Sequence, residues 1–510
     1  GAVEMGTSRG PGFVVGLCYL LLTQAVSRLL PFVVNVLVAR RLTPEEFGVP
    51  TVHFQLFSTI ILTCREGFRR ALMRDADTRD ESGRSQEAAA WLVVPLGAML
   101  SAGVPSAVYF FGSSSTDTLY AHAVALYGLA AFLELLAEPF YIRAQRRSRF
   151  RLRFITETIA TLTRSLLTFF FVTAAKSSEN VPLAFAFGQL AYGSCILFFY
   201  AVTQMDFAKV GVRVLSFKGN IEGQTLALIG TFSVQAMWKL LSAEGEKGVL
   251  IWAGSADSQG VHALVSSLGS LFVRIILQPF EEAAFITFSA RKNTKESEGK
   301  PSADDIKRLS LMLKLAFYLG LIVALHGPQY SRLALSFLYG RRWAETEGAA
   351  STLGGFAVMV FFLATNGILE AYTHAVMTPS ELSSANLFLL LSSIFNVICS
   401  ITLQAYLGAL GLIVANCLTM SARILYAIYY ILRVRLKGAR SLVLADLFPR
   451  IEVISVLFFT SVGTVFTSSL DAWIHLGGGV LALGLIGAVL WLRESSSFTK
   501  LKDLKRRKTE

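Results

Sequence analysis

The chain has 510 residues, of which 53% are hydrophobic and only 16% are charged. Soluble proteins average about 25% charged residues, so this composition excludes a mainly soluble protein. Apolar runs of about 20 residues recur along almost the whole sequence, and each can cross a hydrocarbon core. Because a backbone in lipid must satisfy its own hydrogen bonds, these runs predict helices and an all-α polytopic membrane protein.

Fourteen membrane spans are predicted from the apolar runs. The seventh is the weakest, because Lys239, Glu244 and Glu246 interrupt it. The first extends to about Ala39, too far for the apolar core of a signal peptide. The predicted spans are 13–38, 47–64, 88–111, 119–142, 154–175, 183–203, 224–243, 259–288, 309–327, 351–376, 386–405, 410–432, 451–469 and 474–492.

The basic residues are unevenly divided between the two sides of the membrane. With fourteen spans, 34 of the 47 lysines and arginines lie on the side of the termini and 7 on the other side. Short cationic loops stay in the cytosol, so both termini are predicted to be cytosolic. This asymmetry explains the net charge of +12 through topology and attraction to anionic membrane lipids. Nucleic acid is therefore not an expected partner.

An internal repeat indicates how the spans are arranged. Within CREGFRRALMR, 64–74, and QPFEEAAFITF, 278–288, the stretch 67–71 (GFRRA) aligns with 279–283 (PFEEA) at an offset of 212. The second span thus maps onto the eighth, and AEPFYIRAQ resembles LEAYTHAVM, with Glu138 over Glu370. GQLAYGS likewise resembles ANCLTMS. A shift of six spans preserves direction across the membrane, which predicts two parallel, pseudo-symmetric six-helix lobes related by an axis along the membrane normal.

These boundaries predict four parts of the chain. The domains are an N-lobe at 13–203, a C-lobe at 224–433, a two-helix extension at 451–493 and a basic cytosolic tail at 494–510.

Cations near the middle of apolar spans predict a binding site. Arg28, Lys239 and Arg274 lie at similar depth on equivalent helices of the two lobes, with Asn35 and Gln278 on the same polar ridges. Such a cluster in a central cleft suits a phosphate or pyrophosphate, which arginine can bind bidentately. In the competing interpretation, the cations within the spans neutralise acids inside the bundle, namely Glu134, Glu138, Glu157, Glu281 and Glu370.

The charged ends of the second and eighth spans predict a cytosolic gate. Arg69 and Arg70 occupy the positions that Glu281 and Glu282 occupy in the second lobe, and Arg65 lies one turn earlier. Opposite charges at equivalent positions could pair across the cleft as a weak, reversible latch. The alternative is that the arginines set topology and the glutamates neutralise them locally.

Two further polar stripes leave their role open. Glu138 lies in the fourth span, and Asn366, Glu370 and His374 follow each other at four-residue steps in the tenth. These side chains could hold a proton or cation, bond sugar hydroxyls, or join helices.

Motifs for catalysis or for a cofactor are absent from the sequence. It contains no P-loop, HExxH or nucleophile elbow, and its 5 cysteines show no CxxC spacing. No catalytic residue, metal or cofactor is therefore expected, and the protein is not expected to be an enzyme.

Several segments resemble the Rft family. They are CREGFRRA, KLLSAEGEKGV, LGSLFVRIILQPFEEAAF, YSRLALSFLYG, ATNGILEAYTHAVM and GLIVANCLTMSARI, and they span residues 64–424. The resemblance extends to bacterial lipid II flippases, whose fourteen helices enclose an arginine-lined cavity. SRLLPFVVN is similar to their first-helix motif and VRIILQP to their eighth, which places Arg28 and Arg274 on cavity arginines. Their second arginine of the first helix falls near Val34, which is apolar.

The resemblance implies a role in protein N-glycosylation at the endoplasmic reticulum. The expected function is movement of a dolichyl-pyrophosphate-linked oligosaccharide from the cytosolic to the lumenal leaflet by alternating access. Membrane lipids and N-glycosylation enzymes are the further expected partners. The alternatives are a non-transporting accessory protein that binds the glycolipid, and an ion-coupled exporter of small molecules with Glu138, Glu370 and His374 as proton carriers.

Overall fold

The computed structural model is helical wherever it shows regular structure. It describes residues 29–74, 88–111, 118–146, 149–175, 177–204, 223–281, 284, 288, 303–377, 379–432, 450–468 and 470–506. No strand occurs in these ranges, and the prediction of an all-α membrane protein is confirmed. The described chain divides into a first unit, Gly1–Gly248, and a second unit, Val249–Glu510.

Among the residues that the structure describes, the first unit holds eight helices and most of a ninth. A π-helical turn, Val49–Phe54, joins α2 to α3. The helices are α1 (Leu29–Ala39), α2 (Pro44–Gly48), α3 (Gln55–Arg74), α4 (Val93–Phe111), α5 (Thr118–Leu136), α6 (Glu138–Arg146), α7 (Phe150–Ala174), α8 (Val181–Gln204) and α9 (Gly223–Ala253), the last of which crosses the boundary between the units.

The second unit holds the remaining helices that the structure describes. A π-helical turn, Val273–Leu277, continues α10. The helices are α10 (Ala256–Phe272), α11 (Ala303–Tyr339), α12 (Arg341–Glu345), α13 (Ala349–Val376), α14 (Pro379–Leu407), α15 (Ala409–Tyr430), α16 (Ile451–Thr467) and α17 (Ala472–Arg506).

The described residues contain 11 helices long and apolar enough to span a membrane. They become 12 if the bent pair Gly223–Leu241 and Ala243–Ala253, which changes direction by 48°, counts as one span. Two shorter apolar helices, Leu29–Ala39 and Ile451–Thr467, accompany them. A multi-pass membrane protein is confirmed, whereas the count of fourteen spans stays a prediction.

Small residues allow the helices of the first unit to approach each other closely. A Cβ on Gly193 of α8 would lie 2.6 Å from the carbonyl oxygen of Ala130 on α5. A Cβ on Gly67 of α3 would collide with Ser233 of α9. Since lipid provides no hydrophobic drive between helices, close backbone packing is what holds such bundles together.

The last two membrane helices, α16 and α17, are attached to α11 by polar contacts. His326 lies 3.2 Å from Thr460, and Gln329 donates a hydrogen bond to Ser461 at 2.9 Å. The rings of Tyr330 and His475 stack with centroids 4.1 Å apart. Because these polar groups satisfy each other inside an apolar bundle, they fix the register of the hairpin on α11.

The Gly193 contact predicts a stability difference between two glycine substitutions. We expect Gly193→Ala to destabilise the protein by about 1–3 kcal/mol, because the added methyl overpacks against the α5 backbone. Gly463→Ala is the matched control, since a Cβ on this helical glycine meets nothing within 4 Å. Thermal unfolding in detergent measures both, and equal unfolding temperatures would contradict the tight contact of α8 with α5.

Candidate functional site

A buried ion pair joins α3 to α6 in the first unit. The Arg69 guanidinium donates to both carboxylate oxygens of Glu138, from Nε at 2.5 Å and from Nη2 at 2.8 Å. Glu138 is only 1% exposed. The same guanidinium lies 4.0 Å from the ring centroid of Tyr141. A bidentate contact with an aromatic face beneath the cation is among the strongest arrangements available to arginine.

A second chain of polar contacts runs beside this pair. Arg65 donates to Glu134 at 3.2 Å, and the other oxygen of Glu134 accepts a hydrogen bond from Gln189 at 3.0 Å. The side-chain amide oxygen of Gln189 accepts a hydrogen bond from Arg164 at 3.2 Å. These hydrogen bonds therefore connect α3, α5, α8 and α7.

Helical spacing explains why the two pairs form together. Arg65 and Arg69 are four residues apart on α3, and Glu134 and Glu138 are four residues apart across the turn at Ala137. Residues at this spacing lie one above the other on a helix face. Two basic ridge positions thus meet two acidic ones, and we call Arg65, Arg69, Glu134, Glu138 and Gln189 the charged clamp.

The charged clamp neutralises its own charges. An unpaired ion in hydrocarbon costs about 2.5–3.5 kcal/mol on insertion scales, and pairing removes most of that cost. Glu134 and Glu138 are thus neutralised inside the bundle, but by Arg65 and Arg69 and not by the cations near the middle of the spans. The clamp holds helices together and offers no free cation to a ligand.

The second unit reverses the charge at one of two equivalent positions and keeps the acid at the other. Glu281 corresponds to Arg69 and Glu370 to Glu138 in the predicted repeat. The Glu281 carboxylate lies where a Cβ on Gly367 would be placed. Asn366 donates a hydrogen bond to Glu370 at 3.0 Å, and His374, one turn further on, is partly buried.

The latch between the lobes remains a prediction. Arg69 is bound to Glu138 inside its own unit, which gives it a partner that competes with Glu281. Arg70 is partly buried, and Glu282 lies outside the described residues.

The residues predicted to bind pyrophosphate are exposed wherever the structure describes them. Asn35, Lys239, Arg274 and Gln278 are all exposed, and Arg28 lies outside the described residues. Lys239 lies on α9, two residues before the bend that follows Leu241. A charged side chain exposed on an apolar helix must reach water or another polar group, because lipid is costly for it.

Arg274 lies within the π-helical turn of the span Ala256–Glu281. A π turn widens the helix by one residue and is frequent at functional sites, because it changes the direction in which side chains point. Arg274 was singled out from its residue type and its depth in the span, and helical spacing alone does not reveal the π turn.

Gln189 was not predicted as a site residue. It is 8% exposed and bridges Glu134 to Arg164. An amide isolated in the apolar run of α8 was the available signal. Among the described residues, no group of three or more His, Cys, Asp or Glu is placed to hold a metal ion.

Breaking the Arg69–Glu138 pair should be costly. We expect Arg69→Met to destabilise the protein by about 3–5 kcal/mol, since it leaves a buried carboxylate unpaired. Removing both charges, as Arg69→Met with Glu138→Leu, should recover most of this loss. Arg153→Gln is the control: its pair with Glu157 is 45% and 44% exposed, so the loss should stay below about 1 kcal/mol. Thermal unfolding in detergent measures each variant.

Charge reversal separates the local pair from the latch. Arg69→Glu should be rescued by Glu138→Arg if the partner lies within the first unit. Rescue by Glu281→Arg but not by Glu138→Arg would contradict the local pair and favour the latch. The amount of monodisperse protein recovered in detergent reads out both combinations.

Comparisons with known proteins assign most of the chain to one protein family. The family model described as Rft protein matches residues 13–504. The Man(5)GlcNAc(2)-PP-dolichol translocation protein RFT1 of Schizosaccharomyces pombe is 30% identical over 435 residues, which cover 80% of this chain and 81% of the relative. The protein of that name from Mus musculus is 28% identical over 518 residues and covers 93% of both chains.

Solved structures share the fold at low sequence identity. The lipid II flippase MurJ, in an inward closed conformation, superposes with a TM-score of 0.63 at 13% identity, covering 92% of this chain and 99% of MurJ. An inward-facing multidrug resistance transporter of the MATE family gives a TM-score of 0.57 at 14% identity and covers 81% of this chain and 99% of its own. The fold is therefore that of these transporters, and the match over residues 13–504 shows that the chain belongs to the Rft protein family.

Proposed function

We propose that this protein moves an oligosaccharide linked to dolichyl pyrophosphate across the membrane of the endoplasmic reticulum, from the cytosolic to the lumenal leaflet. The relatives from Schizosaccharomyces pombe and Mus musculus are named for translocation of Man(5)GlcNAc(2)-PP-dolichol. The transporter fold of the chain supports movement of a substrate through the membrane. Alternating access is the mechanism that this fold suggests, with the cleft opening to one leaflet at a time.

The observation that carries this proposal is the exposure of polar side chains within apolar helices. Lys239 and Arg274 belong to helices that otherwise suit a membrane, yet both are exposed. Exposed cations at that depth favour a polar cavity in which an anion replaces water. The pyrophosphate of a glycolipid supplies such an anion, and arginine binds its oxygens in pairs.

The three parts of the substrate meet different surfaces in this mechanism. Arg28, Lys239 and Arg274 bind the pyrophosphate, with Asn35 and Gln278 beside them as hydrogen-bonding groups. The sugar hydroxyls occupy the polar cleft, where Asn366, Glu370 and His374 offer further partners. The dolichol chain stays in lipid, because burial of its hydrocarbon in a polar cleft would be unfavourable.

In this mechanism the charged clamp keeps the first lobe rigid. Buried charges that are fully paired resist rearrangement, because separation leaves each of them unpaired. Both termini face the cytosol in the proposed orientation, in keeping with the excess of basic residues on that side. The sequence contains no P-loop, and in this mechanism transport is downhill, coupled to an ion gradient, or driven by consumption of the glycolipid in the lumen.

Translocation in sealed vesicles tests the proposal. Purified protein is reconstituted with the dolichyl-pyrophosphate oligosaccharide, and a membrane-impermeant lectin reports which leaflet carries the sugar. We expect translocation above that of protein-free vesicles. Arg28→Ala, Lys239→Ala and Arg274→Ala should each slow it about tenfold or more, since a charge-assisted bond to phosphate is worth roughly 1.5–3 kcal/mol.

Arg493→Ala is the matched control, because Arg493 is exposed at the end of a span and outside the proposed site. It should translocate as fast as the unmodified protein. Folded protein that binds the glycolipid without moving it would contradict translocation and support the accessory role. Proton-dependent export that is indifferent to dolichol would support the small-molecule exporter.

A further inference from the structure

A pair of adjacent arginines lies on the side of the membrane that basic residues usually avoid. Arg341 and Arg342 fall in the short segment 340–348, between the spans Arg308–Tyr339 and Ala349–Val376. With both termini in the cytosol, this segment is lumenal and belongs to the side that holds 7 of the 47 lysines and arginines. Topology disfavours the pair at this place, so a role other than orientation must account for it.

A buried anchor holds the two arginines on the second unit. They begin the short helix α12, whose Trp343 is 0% exposed and lies against Tyr339 with ring centroids 6.4 Å apart. Gly340 turns the chain into α12 with a φ of 95°, a conformation that residues with a Cβ rarely adopt. Because Trp343 faces the interior, its two basic neighbours are exposed at the surface.

Both guanidinium groups are available to a ligand. Neither the Arg341 nor the Arg342 side chain makes an ion pair or hydrogen bond with a residue that the structure describes, although Glu345 and Glu347 lie on the same segment. A guanidinium presents its N–H groups as a rigid fork that matches phosphate oxygens. Two adjacent forks at the end of a membrane span suit a ligand with two phosphates at the level of the lipid headgroups.

We propose that Arg341 and Arg342 bind the pyrophosphate of a polyprenyl-linked sugar once it has reached the lumenal leaflet. This inference rests on the proposed function and adds to it an exit site on the second unit, distinct from the central cations. The exit site holds the glycolipid after the cleft has opened to the lumen, so that the central site is vacated before the lobes close. The ligand is the pyrophosphate of the isoprenoid and not the single phosphate of the bulk lipids, because a pyrophosphate carries more negative charge and offers each guanidinium its own phosphate group.

Chemical protection of the arginines tests the exit site without requiring transport. The full-length protein is placed in nanodiscs of neutral phospholipid, where both faces are accessible, and treated with an arginine-selective dicarbonyl reagent. Mass spectrometry follows modification of the peptide that contains Arg341 and Arg342. The nanodiscs carry polyprenyl pyrophosphate, polyprenyl monophosphate or phosphatidylinositol at the same mole fraction.

We expect polyprenyl pyrophosphate to slow modification of the pair by on the order of tenfold, as for a charge-assisted contact. The monophosphate should protect less, and phosphatidylinositol should leave the rate unchanged. Equal protection by phosphatidylinositol would show a general contact with headgroups and overturn the proposal. The absence of protection by the pyrophosphate would overturn it as well.

A charge-neutral variant tests the consequence for transport. In the lectin assay, Arg341→Gln with Arg342→Gln should slow the appearance of sugar in the lumenal leaflet several-fold, while the unfolding temperature stays that of the unmodified protein. Arg149→Gln with Arg493→Gln is the matched control, since it removes two exposed cations from the cytosolic side and should have no effect. Glu345→Gln with Glu347→Gln should strengthen the protection by pyrophosphate.

The two assays separate failure of the exit site from failure of the proposed function. Protection of Arg341 and Arg342 by the pyrophosphate lipid, in a protein that does not translocate, would keep the exit site and remove transport. Translocation that is unaffected by loss of both arginines would remove the exit site and keep transport.

Discussion

The cost of an ionised side chain in hydrocarbon is the constraint on which the rest of this structure depends. The first unit meets it by pairing, because Arg65 and Arg69 meet Glu134 and Glu138 at distances of 3.2 Å and 2.5 Å. An unpaired ion in hydrocarbon is unfavourable, and removal of either partner leaves the other charge buried without a counter-ion. The charged clamp therefore determines how α3, α5, α6 and α8 are held together.

The same constraint separates the residues that hold the bundle from those that can serve a ligand. Lys239 and Arg274 lie on apolar helices and are exposed, and Lys239 makes no ion pair with a described residue. Side chains of this kind are tolerated where water or an anion reaches them. Charge that is paired within the first unit holds helices together, and the exposed cations are the ones proposed for the substrate.

Corresponding amide side chains in the two units make hydrogen bonds of different chemistry. Gln189 and Asn416 occupy corresponding positions in the predicted repeat, and each amide oxygen accepts a hydrogen bond from the preceding membrane helix. The donor is Arg164 in the first unit, at 3.2 Å, and Asn396 in the second, at 3.0 Å. The contact is thus charged in one unit and neutral in the other. Hydrogen bonds to a charged group are the stronger kind, so the contact in the first unit is harder to separate than the amide pair in the second.

The sequence by itself determined the class of the protein and much of its organisation. Long apolar runs leave a backbone in lipid no alternative to helices, so an all-α, multi-pass protein follows from composition. Residue type and depth also singled out Glu138, Lys239 and Arg274, because ions in apolar spans are rare, and the internal repeat singled out Arg65 and Arg69. Only the tertiary structure decided their partners: the repeat suggested Glu281 as an acid for Arg69, and the packing of α3 against α6 places Glu138 against it. It also supplied Gln189, the π turn at Arg274 and the buried Trp343 beneath Arg341 and Arg342. Spacing along a helix fixes which side chains share a face, whereas the neighbour of that face depends on contacts between segments far apart in the chain.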